Sequence, residues 1–190
     1  MITVRSVEFL NNPARFLDPY RFKVTFDCMS PLKDDLEWKL IFVSSPGRTD
    51  LDQELDDCLV GPVPVGVNSF EFQGSPPDKS IIPTDDVLGV AALILTGSYN
   101  DQEFVRIGYY QNTEYDNPEM KENPPAQIAF DRLIRDLNDK PRVTRFHVKW
   151  DGGPAAAAPA PQPALVTTSS STNGISVAAT SAAVPSADVL

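Results

Sequence analysis

His147 is the only histidine in the chain, and Cys28 and Cys58 are its only cysteines. Any catalytic or metal site would have to be assembled from these residues together with carboxylates. General acid–base chemistry needs a positioned titratable group, yet His147 sits alone in the alternating run Arg142 to Trp150. A zinc site takes three or four nitrogen and sulfur ligands at close paired spacings, which one histidine and two distant cysteines do not supply. A cysteine nucleophile would need a histidine partner, and no GxxxxGK[ST] or GxGxxG run is present to cradle phosphates. These residues imply no enzyme, no metal and no cofactor; the expected activity is binding.

Two groups of residues suit binding. The first is the run Leu88 to Leu95, which is apolar on both faces of a strand: Leu88, Val90, Ala92 and Ile94 on one, Ala91, Leu93 and Leu95 on the other. One face fills a core, and the other needs a helix, a loop or a partner to cover it. The following run, Glu103 to Tyr110, sets Arg106 and Tyr110 on one face, and these are residue types in which interface energy concentrates. Arg106 among apolar neighbours calls for a carboxylate, for which Asp52 and Asp86 are the candidates. With Asp50, Glu54 and Asp85 they would form an acidic rim suited to an amphipathic basic helix. The second group mixes acids with apolar residues: Asp34, Asp35, Leu36 and Glu37, then Asp56, Asp57, Cys58, Leu59 and Val60.

The elements that must position these residues are mostly strands. Tyr20, Phe22, Val24 and Phe26 alternate with polar residues, as do Leu36, Trp38, Leu40 and Phe42, which is the period of a strand with one buried face. Further strands are expected near Ile2–Leu10, Leu51–Cys58, Val67–Gln73, Leu88–Tyr99, Glu103–Gln111 and Arg142–Trp150. Turn residues separate them, among them Asn11-Asn12-Pro13, Pro46-Gly47, Gly61-Pro62, Pro76-Pro77 and Asn100-Asp101. One helix is expected over Ile128–Leu137, where Ile128, Leu133, Ile134 and Leu137 share a stripe and Pro141 marks the stop. The fold class that follows is all-β, an immunoglobulin-like antiparallel β-sandwich. Trp38 follows Cys28 as in antibody domains, but Cys58 comes too soon to be the second bridging cysteine, so no disulfide is implied and a reducing compartment is expected.

Net charge adds a restriction. The formal value of -10 argues against direct nucleic-acid binding, which needs clustered Lys and Arg, and favours basic protein partners. No secretory signal and no membrane-spanning apolar run is read in the chain. After Asp151 the composition changes to an Ala/Pro/Ser/Thr-rich stretch with no aromatic and no basic residue. Residues 152–190 are therefore expected to be a disordered tail behind a single domain over residues 1–151.

Several stretches in order, DLEWKLIFV at 35–43, LVGPVP at 59–64, EFVRIGYY at 103–110, ENPP at 122–125 and PRVTRFHVKW at 141–150, closely resemble the anti-silencing-function histone chaperones. The resemblance runs from Met1 to Trp150. It implies a nuclear, monomeric chaperone, an immunoglobulin-like sandwich with a few short helical segments, acting in nucleosome assembly and disassembly and in transcription regulation. Its partner would be a histone-three/histone-four heterodimer whose tetramer-forming surface it shields. By matching position, the resemblance assigns histone three to Val43, Asp52, Asp86, Val90, Ala92, Ile94, Arg106, Tyr109 and Tyr110. It assigns the histone-four C-terminal segment to Leu137, Pro141, Arg142 and Val143, and segments of other chromatin-assembly chaperones to Asp34, Asp35, Glu37, Asp56, Leu59 and Val60. The chain departs from the family pattern at Ala92, where a larger branched aliphatic is common, at Ser45-Pro46-Gly47-Arg48, where relatives are often acidic, and by one missing residue between Arg135 and Pro141. A different class of reading, an immunoglobulin-like adaptor that takes only peptide segments through the 34–60 cluster, uses the same acids.

Overall fold

The computed structural model describes residues 2–151; the expected tail, 152–190, lies outside the described residues. Ten strands build two antiparallel sheets: β1 Ile2–Phe9, β2 Ala14–Arg15, β3 Tyr20–Cys28, β4 Leu36–Val43, β5 Gln53–Val60, β6 Gly66–Gly74, β7 Gly89–Tyr99, β8 Gln102–Tyr115, β9 Leu133–Leu137 and β10 Arg142–Arg145. One sheet has the order β1-β3-β6, and the other β2-β9-β8-β7-β4-β5, with β10 also paired to β8. The result is an immunoglobulin-like sandwich. Its only α-helix among the described residues is the short α1, Pro118–Glu122, capped by the Asn117 side chain, which accepts from the Glu119 amide at 2.9 Å.

Alternation explains which residues meet between the sheets. Tyr20, Phe22, Val24, Phe26 and Cys28 all turn inward from β3, and Leu36, Trp38, Leu40 and Phe42 from β4. Trp38 packs against Phe26 at 6.0 Å, Phe70 at 5.4 Å and, edge-on, Phe104 at 5.7 Å. Each fully buried large apolar side chain of this kind contributes roughly 2–3 kcal/mol.

The helix expected over Ile128–Leu137 does not form. A 3-10 turn at Phe130–Arg132 leads instead into β9, where Leu133, Arg135 and Leu137 point inward with the period of a strand. Arg135 is the reason the pattern misled. Its charge reads as a surface residue, yet the side chain is 1% exposed and lies over the Tyr20 ring at 3.7 Å. Its Nη1 donates to the carbonyls of Arg15 (3.1 Å), Phe16 (3.3 Å) and Asp18 (2.5 Å), and its Nη2 to that of Pro19 (2.9 Å). The final strand is also shorter than expected: β10 ends at Arg145, and beyond it the Phe146 amide makes one more backbone bond, to the Phe104 carbonyl at 3.0 Å.

The β7–β8 hairpin sets the register of the outward face of the seven-stranded sheet. Asn100 and Asp101, both at positive φ (48° and 59°), form the two-residue turn that matches strand twist. Beyond it Ser98 pairs with Glu103 but Gly97 with Val105, so Phe104 is an extra, bulged residue.

Candidate functional site

Across the seven-stranded sheet the register aligns Val43 with Ala92 and Tyr110, Ile41 with Ile94 and Gly108, and Lys39 with Thr96 and Arg106. These residues point away from the core, because their neighbours Ala91, Leu93, Leu95 and Ile107 are buried beneath them. Val90, which pairs with Asn112, is 63% exposed and Tyr110 is 60% exposed, while Val43, Ala92 and Ile94 are half-buried. The outward side of the doubly apolar strand is therefore uncovered among the described residues, and the helix expected over 128–137 is not there to cover it. Ile41 belongs to this apolar stripe too; its alternation with Phe42 in β4 was the sequence signal for it.

Two expectations about the face change. Arg106 does not meet Asp52 or Asp86. Its Nε and Nη2 donate to the two carboxylate oxygens of Glu103, at 2.8 Å each. Residues three apart on a regular strand face opposite sides, and the bulge at Phe104 is what returns Glu103 and Arg106 to one side. Tyr109 lies on the opposite face from Arg106 and Tyr110: it is 5% exposed, its ring meets Phe9 edge-on at 4.8 Å, and burial pushes its phenol up to about 12. Asp52 follows the 3-10 turn Thr49–Leu51, and Asp86 closes the turn Thr84–Asp86, at the end of the sheet where β4 stops and β7 starts. Arg48 there donates to Asp50 at 2.9 and 3.1 Å, so part of the acidic rim is neutralised from within.

Tyr109 instead helps floor a cleft of about 600 Å³ between β1 and the 138–145 segment, with Phe9 and Ile107 beside it and Pro141, Val143 and Arg145 on one wall. Each of β1 and β10 is paired on one side only, so two free strand edges flank the cleft. Leu137 is buried and fixed by Asn12, whose side chain accepts from its amide and donates to its carbonyl at 2.9 Å each. Arg142 and Val143 are exposed on β10.

At the other end, β5 is the terminal strand of the seven-stranded sheet. Glu37 pairs with Leu59, which is 68% exposed; Leu36 pairs with Val60 and Leu40 with Asp56. Asp34 and Asp35 stand just before β4. Cys58 leans toward the core, and burial followed by Asp57 and Asp56 pushes its thiol up to about 11, which disfavours the thiolate. His147 is exposed, and no group of three metal-ligating side chains exists among the described residues.

An immunoglobulin-like sandwich with an uncovered apolar sheet face and free strand edges has the surfaces of a protein-binding module. The chain belongs to the ASF1-like histone chaperone family, whose model matches residues 1–151. It is 55% identical to the histone chaperone ASF1 of Mycosarcoma maydis over 159 residues, 83% of this chain and 91% of that protein. It is 55% identical to the histone chaperone ASF1 of Candida albicans over 152 residues and 51% identical to that of Saccharomyces cerevisiae over 152 residues. The match covers 62% and 54%, respectively, of those two proteins. Proteins of this family bind histones and are not enzymes.

Proposed function

We propose that the chain, as a monomer, binds a histone-three/histone-four heterodimer and shields the histone-three surface otherwise used to form the tetramer. The outward face of the seven-stranded sheet takes histone three through Val43, Val90, Ala92, Ile94, Arg106 and Tyr110, with Asp52 and Asp86 at its acidic rim. The observation that carries this reading is the outward-facing apolar stripe Val43–Ala92–Tyr110 in a chain of the histone chaperone family. An amphipathic helix laid on that stripe would bury apolar surface against it, and a basic flank would meet the rim. Tyr109 serves the cleft instead, where Pro141, Arg142 and Val143 border a free edge able to accept the histone-four C-terminal segment as an added strand, with Leu137 as a buried support.

The acidic end, Asp34, Asp35, Glu37, Asp56, Leu59 and Val60, offers a third surface. Its β5 edge is free and Leu59 is exposed, which favours an extended segment with alternating basic and apolar residues, as a partner chaperone would present. Holding the heterodimer on one face and a chaperone segment on another permits direct transfer in nucleosome assembly and disassembly, within the nucleus and without ATP.

Size-exclusion chromatography with purified heterodimer tests the main reading. A co-eluting complex with one copy of each chain is expected. Ala92→Arg places an unpaired charge in the stripe, a cost of several kcal/mol, and should weaken binding about 100-fold or more. Unchanged binding by both Ala92→Arg and Arg106→Glu would remove the assigned face. Peptide capture at the acidic end with no histone complex would favour a simple adaptor instead.

A further inference from the structure

Tyr99, the last residue of β7, is fully buried and takes part in neither the apolar stripe nor the cleft. Its hydroxyl oxygen accepts from the Lys33 amide at 3.3 Å and the Asp34 amide at 3.4 Å, and its proton is donated to the Asp151 carboxylate. A phenol has one proton, so giving it to Asp151 turns both lone pairs toward the amides, and the charged acceptor makes the oxygen a better acceptor in turn. Asp151 is held in place by a strap. The Phe146 amide donates to the Phe104 carbonyl at 3.0 Å and the Lys149 amide to Gln102 Oε1 at 3.2 Å. Trp150 stacks on Tyr99 at 5.3 Å with 24° between the rings.

Asp35 is constrained from the other side. A Cβ on Gly61, at the turn after Val60, would fall 1.7 Å from Asp35 Oδ1, so the carboxylate occupies space that only glycine leaves open. The acids before β4 are exposed, yet the strand end that carries them is tethered. Tyr99 tethers the backbone at Lys33 and Asp34, and the Gly61 turn accommodates the Asp35 side chain.

We propose that Tyr99 is a positioning residue for the acidic end, and that the strap 146–151, through Asp151 and the shared hydroxyl, sets how tightly that end takes a basic extended segment. The inference rests on the reading that residues 34–60 bind such a segment. It makes the last described residues of the domain part of a site with which they share no strand pairing. The strap follows β10, so the histone-four edge and the acidic end are joined by one short stretch of chain.

The test uses the full chain and three measurements: affinity for a fluorescent peptide alternating arginine and isoleucine, affinity for the histone heterodimer, and amide hydrogen exchange at residues 33 and 34. Tyr99→Phe removes only the hydroxyl, and Asp151→Asn changes an exposed residue, which guards against a misfolded variant. Peptide affinity is expected to fall about fivefold in Tyr99→Phe, the size of one or two hydrogen bonds, and by less in Asp151→Asn. Exchange at Lys33 and Asp34 should quicken in both, while heterodimer affinity stays within about twofold of wild type. Unchanged peptide affinity in Tyr99→Phe, or equal losses for both ligands, overturns the inference alone. A wild-type chain that ignores the peptide, or an Asp35→Ala variant that binds it equally well, overturns the acidic-end reading and this inference with it.

Discussion

Arg106 and Glu103 form a forked ion pair on the outward face of β8, both contacts at 2.8 Å, across a bulge that brings residues three apart to the same side. Glu103 thus holds the Arg106 fork in one orientation before any partner arrives. Both side chains are partly exposed, so the pair adds under about 1 kcal/mol to stability. Glu103→Gln should leave the urea midpoint almost unchanged. Heterodimer affinity should nonetheless drop about fivefold, because an unheld arginine must be ordered on binding; titration calorimetry beside the urea curve separates the two effects.

Ala92 sits at the centre of the apolar stripe, between Val43 and Tyr110. Ala92→Val adds two methyl groups at a half-buried position on the face, each worth somewhat under 1 kcal/mol when covered by a partner. Heterodimer binding should tighten about fivefold or more, measured by competition against the wild-type chain. Weaker binding would mean that the stripe is already filled when the partner is seated.

Arg135 is the support under the other side of the sheet. Arg135→Ala would leave the carbonyls of Arg15, Phe16, Asp18 and Pro19 without their shared donor and open a space beside Tyr20. A loss of about 3–5 kcal/mol is expected in chemical denaturation. Arg135→Lys should recover little of it, since a compact ammonium cannot span carbonyls arranged around a planar fork.

Asp116 accepts from Arg15 at 2.5 Å and from Arg132 at 2.9 Å, and the two guanidinium groups hold its carboxyl below the ordinary value. In the unfolded chain the same carboxyl takes its proton at about pH 4. Its contribution is therefore fully present above about pH 4 and is lost as pH falls through the lower folded value. Asp116→Asn removes that dependence, so its stability should decline less steeply than that of wild type between about pH 4 and pH 2. Urea titrations across that range, followed by tryptophan fluorescence, measure the two slopes.

The strands were legible wherever alternation is local. Tyr20 to Phe26 and Leu36 to Phe42 announce their inward faces without reference to anything distant, and the two-sided run at 88–95 marks the strand that carries the stripe. The Asn100-Asp101 turn and the family motifs were equally plain in the chain. β9 was not legible, because its central inward residue is an arginine whose environment comes from carbonyls more than a hundred residues away. The partner of Arg106 was not legible either, whereas the alternation that joins Arg106 to Tyr110 already sets Tyr109 on the opposite side. A bulge and a strand register are properties of two segments together, and a one-residue shift reverses every side chain beyond it. Local periodicity thus determined the all-β class and the apolar strand, while strand pairing decided which side chains of different strands stand together, the hairpin bulge decided which carboxylate Arg106 holds, and tertiary packing decided how Tyr99 ties Asp151 to the backbone at 33 and 34.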